Sequence, residues 1–184
     1  MTRIAIRVDD RERASAVFEL LGTAPDFDVT VTRLKLGDYL LDGRFLFERK
    51  TAADLAASII SGRLFSQALR LATSPVRPAL VIEGTEHELA RTGMSWESLQ
   101  GALISVAFFC GIPVLRTRGP EETVCTMRFT AQQGMHARLA HCRAPATVHA
   151  GSRRGSSTYF RACPASDPNV RGVCSHTSQV LKLG

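Results

Sequence analysis

Two carboxylates and one lysine form the clearest chemical pattern in this sequence. Asp38, Glu48 and Lys50 follow the spacing D-x9-E-x-K, and the run that ends FERK is apolar before Glu48. Such a run is typical of a β-strand, on which Glu48 and Lys50, two positions apart, project from the same face. Two carboxylates on one face repel each other unless a positive charge lies between them.

A divalent cation is the natural occupant of such a pair. Carboxylate oxygens suit Mg²⁺ or Mn²⁺, and Mg²⁺ is commonly bound by one or two carboxylates together with water and substrate phosphate. A lysine beside that ion can position a water molecule or offset the charge of a phosphate. The pattern therefore indicates metal-assisted phosphodiester hydrolysis. The alternative is a solvated cross-strand ion pair that contributes under about 1 kcal/mol.

The neighbouring sequence provides elements that could position these residues. Asp42-Gly43 is a strong hairpin signal, so the strand that follows Asp38 should lie beside the strand that contains Glu48. Alternating or continuous apolar residues predict these strands: 3–8, 29–34, 39–41, 44–47, 79–82 and 112–115. Helical spacing and capping residues predict four helices: 14–21 with Gly22 as C-cap, one after Thr51 with Leu55, Ile59 and Ile60 inward, 95–109, and one from Pro120.

The order βαβββαβαβα predicts an α/β fold. Its late β-α-β units favour parallel strands, so we expect a mixed central β-sheet flanked by helices on both faces. The longest uncharged run, residues 98–115, contains Gln100, Ser105, Gly111 and Pro113. These residues favour a buried helix followed by a strand over a membrane span.

The charge distribution divides the chain into two parts. Residues 1–133 contain 16 basic and 16 acidic residues, whereas residues 134–184 contain 7 basic residues and one acid. The second part also lacks sustained apolar periodicity, which predicts a basic, poorly structured tail. Such a tail is either genuine or the product of a frameshift in the gene.

The cellular setting is inferred from the cysteines and the N-terminus. The sequence has five cysteines, an odd number, and the stretch after MTRIAIRV is charged. No secretory signal pattern is visible there, so we expect reduced thiols. The expected location is the cytoplasm with the nucleoid in a prokaryote, or the nucleus in a eukaryote.

Four spaced motifs together resemble the nuclease domain of the XPF family of structure-specific endonucleases, within the PD-(D/E)xK restriction-like superfamily. They are VDDRE at 8–12, LGDYLL at 36–41, FERKTAADLAASI at 47–59 and GRLFSQ at 62–67. The resemblance extends weakly to about residue 133. It implies an XPF-type nuclease domain over residues 1–133, followed by the tail at 134–184. Relatives usually carry helix-hairpin-helix modules after the nuclease domain, and the sequence of this tail shows no such pattern.

The resemblance also implies a role for individual residues. It implies metal binding by Asp38 and Glu48, with Asp9 as a further ligand or as a residue that supports the ligands. The implied catalytic set is Asp9, Asp38, Glu48, Arg49, Lys50 and Asp54. The implied DNA-binding set is Arg11, Arg63 and Gln67. Asp10 and Glu12 are expected to be exposed charges.

The implied activity is Mg²⁺- or Mn²⁺-dependent cleavage of DNA near branches, flaps or forks, in repair or recombination. Relatives dimerise through the nuclease domain, so a homodimer or heterodimer is expected, with residues 99–109 and the last helix as candidate interfaces. The main alternative is a catalytically weak or silent DNA-binding or scaffold subunit. A third hypothesis is a restriction or mobile-element nuclease on the same core. It explains Asp38, Glu48 and Lys50 but not the motifs VDDRE and GRLFSQ.

Overall fold

The computed structural model describes residues 3–143, with side chains described through His136. The predicted tail therefore lies outside the described residues, except for residues 134–143, which continue a helix that begins at Pro120. Within the described residues, no helix is both long enough and apolar enough to cross a membrane.

The described residues form one mixed β-sheet of six strands. The strands are β1 (Ile4–Asp9), β2 (Phe27–Thr32), β3 (Tyr39–Leu41), β4 (Phe45–Thr51), β5 (Arg77–Glu83) and β6 (Val114–Thr117). Their spatial order is β2-β1-β3-β4-β5-β6. β3 is antiparallel to β1 and β4, whereas the pairs β1–β2, β4–β5 and β5–β6 are parallel.

Helices cover both faces of the sheet. They are α1 (Ala16–Thr23), α2 (Ala52–Ile60), α3 (Arg63–Ala72), α4 (Glu86–Arg91), α5 (Trp96–Ile104) and α6 (Pro120–Arg143). α1 and α6 pack on the face that contains Tyr39 and Phe47, which we call face A. α2 to α5 pack on the face that contains Leu46 and Leu80, which we call face B. This arrangement confirms the predicted fold class.

The hairpin between β3 and β4 has the predicted turn. Asp42 and Gly43 both have positive φ, 49° and 64°, and the N–H of Arg44 donates to the carbonyl of Leu41 at 2.8 Å. The turn aligns Tyr39 with Phe47 across the two strands. It thereby fixes which residues of β4 lie beside Asp38.

Several local predictions are wrong. Gly22 lies inside α1 rather than after it, and Ala24 is the C-cap, with its N–H bonded to the carbonyl of Leu21. Ile60 is 80% exposed, because five residues of helix rotate it about 140° from the buried Leu55. The predicted helix 95–109 starts after Ser95 as expected, but its last turn, residues 105–109, is π-helical.

The sequence predicts a single helix after Thr51 that continues to Arg63 and Gln67, but Gly62, with a φ of 69°, separates two helices, α2 and α3. One short helix, α4, was not predicted, and it has a capping box between Thr85 and Glu88. In α3, polar side chains separate the apolar residues. Its buried residues nevertheless follow the helical spacing i, i+4, i+7: Leu64, Ala68 and Leu71.

Candidate active site

The strand register brings three carboxylates together at one edge of face B. β1 aligns Val8 with Tyr39, and β3 aligns Tyr39 with Phe47. One position further along each strand lie Asp9, Asp38 and Glu48. The N–H of Asp9 donates to the carbonyl of Asp38 at 2.8 Å, which extends the ladder to this level. Tyr39 and Phe47 project from face A, and successive side chains of a strand point to opposite faces. Asp9, Asp38 and Glu48 therefore project toward face B.

Asp38 is the carboxylate whose charge is least compensated. The backbone N–H of Arg49 donates to its Oδ2 at 2.8 Å. Burial raises the pKa of Asp38 to about 7, and the negative charge of Glu48 acts in the same direction. Burial and the neighbouring Glu48 charge thus outweigh the hydrogen bond from Arg49, so the ionised form of Asp38 is disfavoured.

Glu48 and Lys50 lie together beneath the helices of face B. Glu48 is 8% exposed and Lys50 is 5% exposed. The Nζ of Lys50 lies 3.5 Å from Oε1 of Glu48. The same Oε1 accepts a hydrogen bond of 3.0 Å from Nε2 of Gln67 on α3. The alternation of β4 thus delivers both predicted side chains to one site, as the D-x9-E-x-K pattern requires.

Asp9 is fully buried and has protein partners for both oxygens. Its Oδ1 accepts from Nε of Arg11 at 2.6 Å and its Oδ2 accepts from the N–H of Leu34 at 2.8 Å. Burial acts to raise the pKa of Asp9, but the hydrogen bonds from Arg11 and Leu34 outweigh it and lower the pKa to about 2. This geometry favours a supporting role for Asp9 over a ligand role.

Arg49 connects the site to face A. Its Nε donates to Oε2 of Glu83 at 3.0 Å, and its Nη1 lies 3.4 Å from Oε2 of Glu12. Thr123 of α6 also donates to Oε2 of Glu83, at 2.7 Å. The hydroxyl of Tyr39 donates to Glu12 at 2.6 Å. These contacts hold the backbone of Arg49 in position to donate to Asp38.

The remaining predicted residues lie around this centre. Asp54 is exposed, and its Oδ2 accepts from the hydroxyl of Thr51 at 2.7 Å, so it belongs to the first turn of α2. Arg63 is exposed at the first position of α3. Arg11 has a side chain that is 57% exposed beside Asp9. The predicted DNA contacts of Arg11, Arg63 and Gln67 stay predictions.

Sequence reasoning missed several residues that support the site. Glu12 was expected to be an exposed charge, yet it is half-buried between Tyr39 and Arg49. Glu83 is a buried carboxylate at the end of β5, and Thr123 is fully buried. An acid that ends an apolar strand was a usable signal for Glu83. Nothing in the sequence connects Thr123 to β5, because 40 residues separate the two partners.

The donor set fits a divalent cation with two protein carboxylates. No cluster of three or more His, Cys, Asp or Glu side chains suited to a metal occurs in the part of the chain that the structure describes. Asp38 and Glu48 nevertheless repel each other, as the raised pKa of Asp38 indicates. A cation between them would relieve that repulsion, and Mg²⁺ characteristically completes its shell with water and phosphate.

Comparison with known proteins identifies the family of this chain. Residues 8–128 match the model of the ERCC4 domain. The 3'-flap repair endonuclease Xpf of Saccharolobus solfataricus is 30% identical over 132 residues, which cover 71% of this chain and 55% of that protein. The DNA repair endonuclease XPF of Cricetulus griseus is 35% identical over 107 residues, 56% of this chain and 12% of that protein.

A solved structure agrees with these matches. XPF from Aeropyrum pernix, in complex with DNA, has a TM-score of 0.63 and 31% sequence identity, covering 74% of this chain and 68% of that chain. The carboxylates Asp9, Asp38 and Glu48 and the lysine Lys50 all fall within the matched residues 8–128. The chain belongs to the XPF family, and residues 8–128 are its ERCC4 domain.

Proposed function

We propose that this chain is a divalent-metal-dependent endonuclease that hydrolyses phosphodiester bonds near branches, flaps or forks in DNA. The observation that supports this most directly is the placement of Asp38, Glu48 and Lys50 at one edge of face B. Burying one lysine together with two carboxylates costs free energy of folding, because all three ionisable groups lose contact with water. Its occurrence in a nuclease family is best explained by catalysis.

Asp38 and Glu48 would hold Mg²⁺ or Mn²⁺. When bound, the ion supplies Lewis-acid activation of a phosphoryl oxygen and a more acidic water. Asp38 presents its carboxylate in a fixed orientation because the N–H of Arg49 binds Oδ2. Glu48 is held by Gln67 and Lys50. Such prior positioning lowers the entropic cost of assembling the reactants.

Lys50 and Arg11 provide positive charge on this side of the site. The Lys50 ammonium has donors beyond the contact with Glu48, and these can orient a water or bind a phosphate oxygen. The Arg11 guanidinium remains 57% exposed while its Nε holds Asp9. Its outer nitrogens are therefore available to a phosphate of the DNA backbone.

DNA is the proposed substrate, with branched structures as the preferred form. The support is the activity for which the relatives are named, one of them a 3'-flap repair endonuclease, and the DNA complex of the structural neighbour. Residues 1–133 are formally neutral, so we expect recognition of backbone and shape rather than of base sequence. Arg63, exposed at the start of α3, is the proposed contact beyond the site.

A dimer is the proposed assembly. Phe108 and Phe109, at the end of the π-helical turn, are 81% and 84% exposed, and Ile104 before them is 48% exposed. On the last helix, Phe129 is 61% exposed. Monomeric proteins seldom expose so many large apolar side chains close together in sequence, so a second copy or a related subunit is expected to cover them.

The deciding experiment is a cleavage assay with purified protein, Mg²⁺ or Mn²⁺, and labelled flap, fork and plain duplex DNA. We expect wild type to cut the branched substrates, and Glu48→Gln and Lys50→Met to lose at least about 100-fold in rate. Folded wild type that cuts none of the substrates but binds them would instead establish a DNA-binding or scaffold subunit. Unchanged cleavage by Glu48→Gln would place the activity elsewhere.

A further inference from the structure

Gln67 has one polar atom with a partner and one without at the edge of the candidate active site. Its Nε2 donates to Oε1 of Glu48 at 3.0 Å. Its Oε1 is buried and has no hydrogen-bond partner among the described residues. Rotating the amide would place Oε1 against the Glu48 carboxylate, where two acceptors would repel each other. The observed orientation is therefore the favourable one, and it leaves a buried acceptor that requires a donor.

A small cavity lies beside Gln67. It is lined by Glu48, Lys50 and Gln67 together with apolar side chains of α3, β5 and the region around the π-helical turn. The space open to the centre of a water molecule is ≈ 10 Å³, which is close to the minimum for one water. Three of the lining residues are polar, and a buried water needs two to four polar partners.

Lys50 has unused hydrogen-bonding capacity at the same cavity. The residue is only 5% exposed, and its ion pair with Glu48 is long, at 3.5 Å. An ammonium carries three N–H donors. One water molecule would accept a hydrogen bond from one of these N–H groups and donate another to Oε1 of Gln67. The buried Oε1 of Gln67 would then have a donor, which removes the cost of leaving a buried acceptor unsatisfied.

We propose that Gln67 is a positioning residue that fixes the Glu48–Lys50 pair, directly through Glu48 and through one buried water that bridges Oε1 of Gln67 to Nζ of Lys50. This assigns Gln67 to the active site instead of the DNA contact predicted from the sequence. The catalytic consequence rests on the proposed nuclease activity, whereas the water site does not. Gln67 acts through Glu48 and Lys50 and touches no reacting atom.

Kinetic measurements distinguish a positioning role of Gln67 from a DNA-binding role. Gln67→Met keeps the length of the side chain and removes both polar contacts. Loss of a residue that orients a metal ligand typically costs about 10- to 100-fold, so we expect kcat to fall by that factor with little change in KM. Loss of a DNA contact would instead raise KM and leave kcat unchanged, and this result would overturn the proposal. Unchanged kcat and KM would also overturn it.

A matched control and a second variant address folding. Ser66→Ala changes the neighbouring exposed residue of α3, whose hydroxyl only bonds within the helix, and should behave as wild type. Gln67→Glu keeps the shape of the side chain and places a further carboxylate against Glu48. We expect it also to lower kcat, and circular dichroism of both variants establishes whether each is folded. Full activity of folded Gln67→Glu would contradict the proposal.

Two measurements decide the water site without any cleavage. A high-resolution crystal structure of the metal-free chain should show one water bonded to Lys50 and Gln67, and Gln67→Met should lack it. An empty cavity, or a direct bond between Lys50 and Gln67, would overturn the bridge. Mg²⁺ titration followed by thermal unfolding should show an affinity about 10-fold weaker in Gln67→Met. If wild type binds Mg²⁺ but cleaves nothing, the proposed function fails while these results still test Gln67.

Discussion

The backbone N–H of Arg49 donates a hydrogen bond of 2.8 Å to Oδ2 of Asp38. The guanidinium of Arg49 lies on the opposite face of the sheet, where Glu83 and Glu12 bind it. β4 thus presents catalytic candidates to face B while the side chain between them is fixed in face A. Arg49 can therefore set the orientation of Asp38 through its backbone N–H, although its own side chain lies on the opposite face.

Removing the Arg49 side chain should destabilise the fold strongly. Its side chain is 12% exposed and compensates two carboxylates, of which Glu83 is 7% exposed. Arg49→Met leaves Glu83 as an unpaired buried charge, which costs about 3–5 kcal/mol. Urea unfolding would measure this loss. Arg33→Met is the control, because its ion pair with Asp10 is exposed and should contribute at most about 1 kcal/mol. Equal losses for both variants would contradict the argument.

Mg²⁺ should stabilise the folded protein through Asp38 and Glu48. A ligand that binds only the folded state, present at ten times its dissociation constant, adds about 1.4 kcal/mol to the free energy of unfolding. We expect wild type to show this gain over a sample with chelator, and Glu48→Gln to lose it. Glu97→Gln, which changes an exposed acid of α5, should retain it. An equal gain in Glu48→Gln would show that Mg²⁺ binds elsewhere.

Gly37 sets the position of Asp38 from the preceding residue. Its φ is +69°, and a Cβ there would lie 2.6 Å from Cδ1 of Leu46. Gly43 has a similar φ of +64° but open space around it, so it isolates the cost of backbone conformation. We expect Gly43→Ala to cost about 1–2 kcal/mol, and Gly37→Ala to cost a further 1–3 kcal/mol, roughly, from overpacking. Urea unfolding of both variants tests the difference, and equal costs would exclude the clash.

The sequence predicted the part of the site that depends on local pattern. Strand alternation placed Glu48 and Lys50 on one face, and Asp42-Gly43 placed Asp38 beside them. Both inferences use short-range rules, because a strand has a period of two and a short hairpin turn fixes the register. The fold class followed from the order of the predicted elements for the same reason.

Contacts between distant elements could not be predicted in this way. Thr123 reaches Glu83 only because α6 packs on face A, and Gln67 reaches Glu48 only because α3 packs on face B. Neither packing angle is encoded in a local pattern. Gln67 was assigned to DNA because it lies four residues from Arg63 on one helix, which is also consistent with its contact to Glu48.

The exposed phenylalanines should control assembly without affecting the fold. Phe108 and Phe109 are more than four-fifths exposed, at 81% and 84%, so their replacement removes little buried surface from the monomer. We expect Phe108→Ser with Phe109→Ser to convert a dimer into a monomer in analytical ultracentrifugation, with an unchanged circular dichroism spectrum. Leu69→Ser, at another exposed position, should leave the dimer intact. A wild type that is monomeric at high concentration would contradict the proposed assembly.

The ion pair between Asp26 and Arg128 should make part of the stability depend on pH. It ties the residue before β2 to α6, and the hydrogen bond from the Arg128 guanidinium holds the pKa of Asp26 below its ordinary value of 3.8. Between the two pKa values the unfolded chain binds more protons, so stability falls with decreasing pH in that window. The contribution is complete above the unfolded-state pKa of Asp26.

The size and origin of this pH effect can be measured with a double-mutant cycle. Both side chains are partly exposed, at 29% for Arg128 and 36% for Asp26, so we expect at most about 1 kcal/mol. Urea unfolding at about pH 6 should show wild type more stable than Asp26→Asn, and the difference should shrink toward about pH 3 as Asp26 is protonated. In an Arg128→Met background, Asp26→Asn should have no such pH-dependent effect. An undiminished effect in that background would show that another group, and not Arg128, lowers the pKa of Asp26.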